Sequence, residues 1–210
     1  FKAANIRPSG NGFTGAPVVA PDELDRKKGE MSWNNLEEML AGFAYDAYYN
    51  HSEQAKKNYF LVWDYAIDQG FAFGSGMGTN HHYGYQVRKI YTTAWLMRDA
   101  IWKAPNRDNI LSALIFWSAL QETRIPFQYG RDELLDSWHT LLMTKTVAAL
   151  LFVDERERAR ALAGLSRWLS GSLQYSPGTI GGIKVDGTTF HHGGFYPAYT
   201  TGVLAMAGQY

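Results

Sequence analysis

What most constrains the fold of this chain is where its helical periodicity holds and where it stops. Apolar residues recur at three- and four-residue steps, which places them on one face of an α-helix. Behind the capping residue Ser32 the stripe is Leu36, Met39, Leu40, Phe43, Ala47 and Tyr48; behind Ser52 it is Ala55, Tyr59, Val62, Trp63 and Ala66. The pattern resumes over residues 86–103, over 110–121 after Pro105 and Asn106, and over 134–152 after a polar connection at 126–131. Asp154 and Glu157 form a capping box for a further helix over 155–174. Pro21–Leu24 reads as a short early helix and residues 199–207 as the start of a last one. Twice the period is lost for more than a dozen residues. Gly70–Gly84 holds Gly70, Gly74, Gly76, Gly78 and Gly84, and Ser176–Pro197 holds Gly178, Gly181, Gly182, Gly187, Gly193 and Gly194. Loops of that length exceed what helix connections need and point to function.

Six or seven helices with short links and no strand pairs predict an all-α domain. Loops pooled between paired helices suggest stacked hairpins, as part of an incomplete (α/α) toroid. Residues 1–210 are expected to form one partial helical domain, with further parts of a parent chain on either side. Charge excludes some partners. Lys plus Arg and Asp plus Glu both total 20, so no global basic field argues for nucleic acid. An acidic polymer would need a local basic cleft, for which Arg88, Arg131 and Lys184 are candidates beside the plainer reading of surface charge. There is no cysteine, hence no disulfide and no thiolate chemistry. No apolar run reaches the roughly 18 residues that a membrane span requires. Aromatic residues make up 15%, which suits either a ring-rich core or a carbohydrate cleft.

Four of the six histidines fall in the two aperiodic segments, as His81-His82 and His191-His192. His51 and His139 lie at a helix end and within a helix, where capping and packing explain them. Three roles remain open for the loop pairs: metal ligation, hydrogen bonding to loop carbonyls, and proton transfer. Metal ligation lacks support from cysteine or a His-Glu-x-x-His spacing, and adjacent residues rarely both reach one ion. The second loop favours proton transfer. It runs from Asp186 through His191, His192, Gly193 and Gly194 to Tyr196, Pro197 and Tyr199, so a tyrosine seven residues beyond a histidine can return to the same site. Histidine and tyrosine together supply a base and an acid with no metal or cofactor, which suits removal of a proton beside a carboxylate and protonation of a leaving oxygen.

The run Lys184-Val185-Asp186-Gly187-Thr188 through His192, Gly194, Tyr196, Pro197 and Tyr199 resembles the signature of the chondroitin sulfate ABC lyases. These belong to the polysaccharide lyase group that includes hyaluronate and chondroitin AC lyases. The stretch His81-His82-Tyr83-Gly84-Tyr85, with Arg88, Tyr91, Leu96-Met97 and Asp99-Ala100, and the stretch from Leu150 through Ser170-Gly171 extend the resemblance over about Asn80 to Tyr199. It implies β-elimination at a uronic acid. The C5 proton is removed, the carboxylate is neutralised and the C4 oxygen leaves protonated. By position, His192 corresponds to the base or its support, Tyr199 to the proton donor, and His82 to a histidine that serves the opposite face of the ring. Glucuronate and iduronate present C5 hydrogens on opposite faces, and one fixed base does not reach both; two histidine loops flanking a cleft would. Asn80, His81 and His191 are implied carboxylate or sulfate ligands, although the His191 position is arginine in some relatives.

The implied substrates are chondroitin sulfate and dermatan sulfate, with hyaluronan a further candidate, and the implied location is secreted or periplasmic. The family's arginine and glutamate lie beyond Tyr210, so the isolated fragment is expected to be inactive or nearly so. Two other classes remain. A glycoside hydrolase would need a carboxylate pair, and Asp64, Asp99, Asp132 and Glu133 are the candidates. A non-catalytic glycan-binding scaffold would keep its affinity without His192.

Overall fold

The computed structural model describes residues 2–18, 32–130 and 134–207, which divide into two compact units, Phe1–Trp117 and Ser118–Tyr210. The early helix expected at Pro21–Leu24, and Arg131, Asp132 and Glu133, lie outside the described residues. Among those described, the chain is predominantly helical, as the periodicity requires. Small strands nevertheless occur in both units, contrary to the expectation of none.

In the first unit, β1 (Arg7–Ser9) and β2 (Gly12–Thr14) form an antiparallel hairpin. Helices α1 (Trp33–Tyr49) and α2 (Glu53–Asp68) follow, each begun where a serine side chain accepts a backbone N–H, Asn35 to Ser32 and Ala55 to Ser52. They pack on each other, and α4 (Arg88–Leu96) packs on α1. Leu36, Leu40, Tyr59, Val62, Trp63, Ile90 and Tyr91 are all fully buried. On α2 the buried face is the expected stripe, whereas on α1 Met39, Phe43 and Ala47 are half-buried, Tyr48 is exposed, and Trp33, Ala41 and Ala44 are buried instead.

Helix α3 (Asn80–Gly84) lies inside the segment read as a loop. Its short apolar content hides it from any periodic window. Packing holds it instead: Tyr83 meets Trp33 edge-on at 5.3 Å and Trp117 at 4.9 Å between ring centroids. The loop before it is anchored by Phe71, fully buried and stacked on Trp117 at 5.7 Å and 9°.

The single helix expected over 86–103 is instead broken at Met97 into α4 and α5 (Arg98–Ile101). One turn before the break the Thr93 hydroxyl donates to the carbonyls of Lys89 and Ile90, a contact that locally bends helices. Helix α6 (Arg107–Trp117) stops short of residue 121, because Ala119 takes a left-handed φ of 54° ahead of a 3₁₀ turn at Leu120–Arg124.

The second unit contains α7 (Leu134–Asp136), a π-helical turn at Ser137–Leu141, α8 (Leu142–Leu150) and α9 (Glu155–Ser172). Asp154 caps α9 by accepting the Glu157 N–H at 2.9 Å. Gly164 lets α9 approach the 3₁₀ turn, where a Cβ would come within 3.0 Å of the Thr123 carbonyl oxygen. Then come β3 (Gly182–Ile183), β4 (Thr189–His191) and β5 (Gly194–Phe195), an antiparallel sheet in that order, and α10 (Pro197–Ala207). Leu134, Leu135, Trp138, Trp168 and Val203 form a buried cluster, against which Phe127, Ile183 and Tyr199 pack.

Among the described residues no helix is long and apolar enough to cross a membrane, and no group of three or more His, Cys, Asp or Glu is arranged to hold a metal ion.

Candidate active site

The second histidine pair is built on a β-hairpin. Phe190 pairs with Phe195 and His191 with Gly194, which leaves His192 and Gly193 as a two-residue turn. Both have positive φ, 50° and 73°. That is the condition for a type I′ turn, whose twist matches the flanking strands. Glycine takes it freely, and histidine is among the few other residues enriched there. His192 therefore stands exposed at the hairpin tip.

Two further contacts stiffen this element. Between β3 and β4, Asp186 Oδ1 accepts the Thr188 N–H at 3.0 Å and its hydroxyl at 2.7 Å, which holds the Asp186 carboxyl below the usual carboxylate range. Lys184 Nζ donates to Ser176 Oγ at 2.8 Å and to the Ser176 and Ile180 carbonyls, and it lies over the Phe190 ring at 4.7 Å. Burial depresses its ammonium pKa, with Asp186 pulling the other way. Lys184, offered above as a polyanion ligand or plain surface charge, is thus 8% exposed and engaged with its own loop.

Helix α10 brings Tyr199 back to the hairpin. Tyr196 N–H donates to the Thr189 carbonyl at 3.1 Å, and the hydroxyls of Thr189 and Thr200 meet. Beyond this first turn α10 runs beside His139 of the π turn, where a Cβ added at Gly202 would lie 3.6 Å from the imidazole Cε1. The His191 ring contacts that of His192 at 3.8 Å between centroids, that of Tyr199 at 4.7 Å in a stacked arrangement, and the edge of Tyr196 at 5.7 Å. The structure therefore brings His191, His192 and Tyr199 into one cluster. His192 is exposed, Tyr199 is half-buried and His191 is 1% exposed.

Burial changes what His191 offers. Its Nε2 lies 3.3 Å from Asp136 Oδ2, so the ring expected to bind a substrate carboxylate or sulfate already faces a protein carboxylate. Asp136, buried at the end of α7, did not stand out in the sequence, where it reads as one more charge at a helix start.

The first pair is more open. His82 is exposed and its Nδ1 lies 2.9 Å from Thr79 Oγ1; the His81 and His82 rings are 4.3 Å apart. Asn80 donates one amide hydrogen to the Phe116 carbonyl at 2.6 Å, which fixes the start of α3 against α6. Arg88 begins α4 and is half-buried. Of the carboxylates proposed for a hydrolase, Asp132 and Glu133 lie outside the described residues. Asp64 accepts from Asn106, with burial raising its pKa, and Asp99 is exposed beside Arg98 at 3.5 Å.

Comparison with known proteins shows the family. Residues 1–210 match the family described as "Lyase, catalytic". The chain belongs to this lyase catalytic family. Curated relatives include a "Chondroitin sulfate ABC exolyase" of Bacteroides thetaiotaomicron, 33% identical over 165 residues, and a "Chondroitin sulfate ABC endolyase" of Proteus vulgaris, 32% identical over 158 residues. Each match covers 74% of this chain and 16% of the relative. A Proteus vulgaris "Chondroitin sulfate ABC exolyase" is 31% identical over 151 residues, covering 70% of this chain and 15% of the relative. The lyase catalytic chain thus spans about one sixth of the length of the curated relatives it matches.

Proposed function

We propose that this domain serves a glycosaminoglycan lyase that cleaves chondroitin and dermatan sulfate by β-elimination. The observation that carries the reading is the placement of an exposed imidazole, His192, and a half-buried phenol, Tyr199, in one ring cluster on a stiffened hairpin. In this reading His192 takes the C5 proton of the uronate, or supports the group that does. The C5–H electron pair becomes the C4–C5 double bond, the C4–O bond breaks, and the leaving oxygen takes a proton from Tyr199. His192 then releases the proton to solvent and Tyr199 takes one back, so product and enzyme balance without a cofactor. Asn80 and His81 would bind carboxylate or sulfate, and His82 would serve substrates containing iduronate. Hyaluronan, which lacks sulfate, fits the same chemistry.

The helical pairs would form part of an (α/α) toroid in the full protein. Because glycosaminoglycans lie outside the cell, a secreted or periplasmic enzyme is the matching location. Nucleic acid finds no basic field to bind. Similarity to relatives named both exolyase and endolyase supports neither mode over the other.

The test follows ultraviolet absorbance of unsaturated uronate with the full-length protein on chondroitin sulfate and on dermatan sulfate. Unsaturated product is expected on both. Saturated ends from the same polymers would favour the hydrolase, and binding without cleavage would favour the scaffold.

A further inference from the structure

A buried carboxylate stands behind the proposed base, and its position suggests what it does. Asp136 is 5% exposed among Leu134, Leu135 and Trp138, an apolar setting where an ionised group is unfavourable unless paired. Its neighbour is His191, itself 1% exposed, with Nε2 at 3.3 Å from Oδ2. A contact serving stability alone would end there. This one continues, since the His191 ring also contacts His192 at 3.8 Å, Tyr199 at 4.7 Å and Tyr196 at 5.7 Å.

The backbone adds a reason for such a support. His192 holds a left-handed φ of 50°, a conformation that persists only where the surroundings over-determine it. The strand residue immediately before it is the one that Asp136 engages. On the other side, Asp136 leads directly into the π turn at Ser137–Leu141, and π turns recur at functional sites. Leu134, Leu135, Asp136 and Trp138 are all buried, so both sides of this element face protein. Leu134, Leu135 and Trp138 belong to the cluster that Tyr199 packs against, while Asp136 meets His191. One element thus supports both proposed catalytic groups.

We propose that Asp136 is a positioning residue that acts through His191, fixing the imidazole so that His192 and Tyr199 keep their mutual placement during the elimination. Asp136 does not touch substrate in this scheme. The proposal rests on the lyase reading above.

The test uses the full-length protein with D136N, H191Q and the double variant, and measures kcat and KM separately on chondroitin sulfate. D136N keeps the size of the side chain and removes its charge. Each single change is expected to lower kcat by about 10²-fold, the cost of a reacting group displaced by about an ångström, with KM changed less than about threefold. Because one residue acts through the other, the double variant should be no slower than the slower single. Wild-type kcat in D136N, or losses that multiply in the double variant, overturns the proposal. If D136N does not fold, D136E carries the same test: it keeps the charge and shifts it by one methylene, so a fall in kcat at constant KM supports positioning and an unchanged kcat overturns it. Absence of unsaturated product from the unmutated protein defeats the lyase reading itself, whereas a wild-type rate from the variants defeats the role of Asp136 alone.

Discussion

In the second unit one histidine of the pair is buried against a carboxylate and the other rides the tip of a hairpin, whereas in the first unit the pair lies on a five-residue helical turn with His82 open to solvent beside a threonine. The hairpin is held by strand pairing, by the Asp186–Thr188 turn, by Lys184 beneath Phe190 and by the first turn of α10. The helical turn is too short to be stable by itself, because nucleating a helix costs more than one turn returns. It depends on Tyr83 between two tryptophans. The difference teaches that the same dipeptide can be mounted for accuracy or for accommodation. A base that must meet one hydrogen gains from a rigid mount. A side chain meeting polymers of varied sulfation gains from room to adjust.

The largest expected effects lie at the hairpin tip and on the first turn of α10. His192→Ala and Tyr199→Phe should each lower the rate of unsaturated product formation on chondroitin sulfate by about 10²–10⁴-fold, the usual worth of a general acid or base. Activity near wild type in either variant would break the comparison, since the rigid pair would then not carry the chemistry. The next effect is selective. His82→Ala should slow dermatan sulfate cleavage by about 10²-fold and change the chondroitin sulfate rate far less, as parallel assays on the two polymers would show. Equal losses on both would mean that the open pair serves every turnover.

A stability measurement sharpens the contrast further. Tyr83→Leu removes the ring that holds α3 and should cost about 1–2 kcal/mol in denaturant unfolding. Dermatan cleavage should fall with it and chondroitin cleavage little.

The smallest effect concerns Glu37, which accepts the Lys89 N–H at the start of α4, soon after α3. Burial raises its carboxyl pKa, and this outweighs the lowering by that hydrogen bond and by Lys89. A raised acid binds its proton more tightly when folded. Its favourable contribution is present at low pH and is lost as pH rises through the raised value. Urea unfolding of the protein against Glu37→Gln should therefore show the unmutated form gaining relative stability as pH falls into the carboxylate range. A gain in the opposite direction would mean that the Lys89 contact dominates.

Helices were legible because apolar residues recur every three to four positions, and over Ala55–Ala66 burial follows that spacing, whereas the stripe over Leu36–Tyr48 is buried at Leu36 and Leu40 and exposed at Tyr48. The strands were not, because β3 and β5 have two residues each and β4 three, too few to show an alternation. One local signal was available. His192-Gly193 between Phe190-His191 and Gly194-Phe195 is a two-residue hairpin turn written with histidine in the place asparagine usually takes. The histidines and Tyr199 stood out by residue type and spacing. Asp136 could not, since its importance comes from a contact 55 positions along the chain, between its Oδ2 and the Nε2 of His191. Lys184 misled for a related reason: a charge is read as exposed unless the carbonyls that surround it are known.

The turn at His192 bears on how this catalytic family can diversify. Asparagine fits a left-handed backbone at least as well as histidine, and the codons of the two residues differ by a single nucleotide. One point mutation would thus remove the imidazole and leave the hairpin, its supports and the surrounding surface in place. Under the proposed function, a lyase and a protein that only binds the same polymer would then be adjacent in sequence space, with shape inherited and turnover lost.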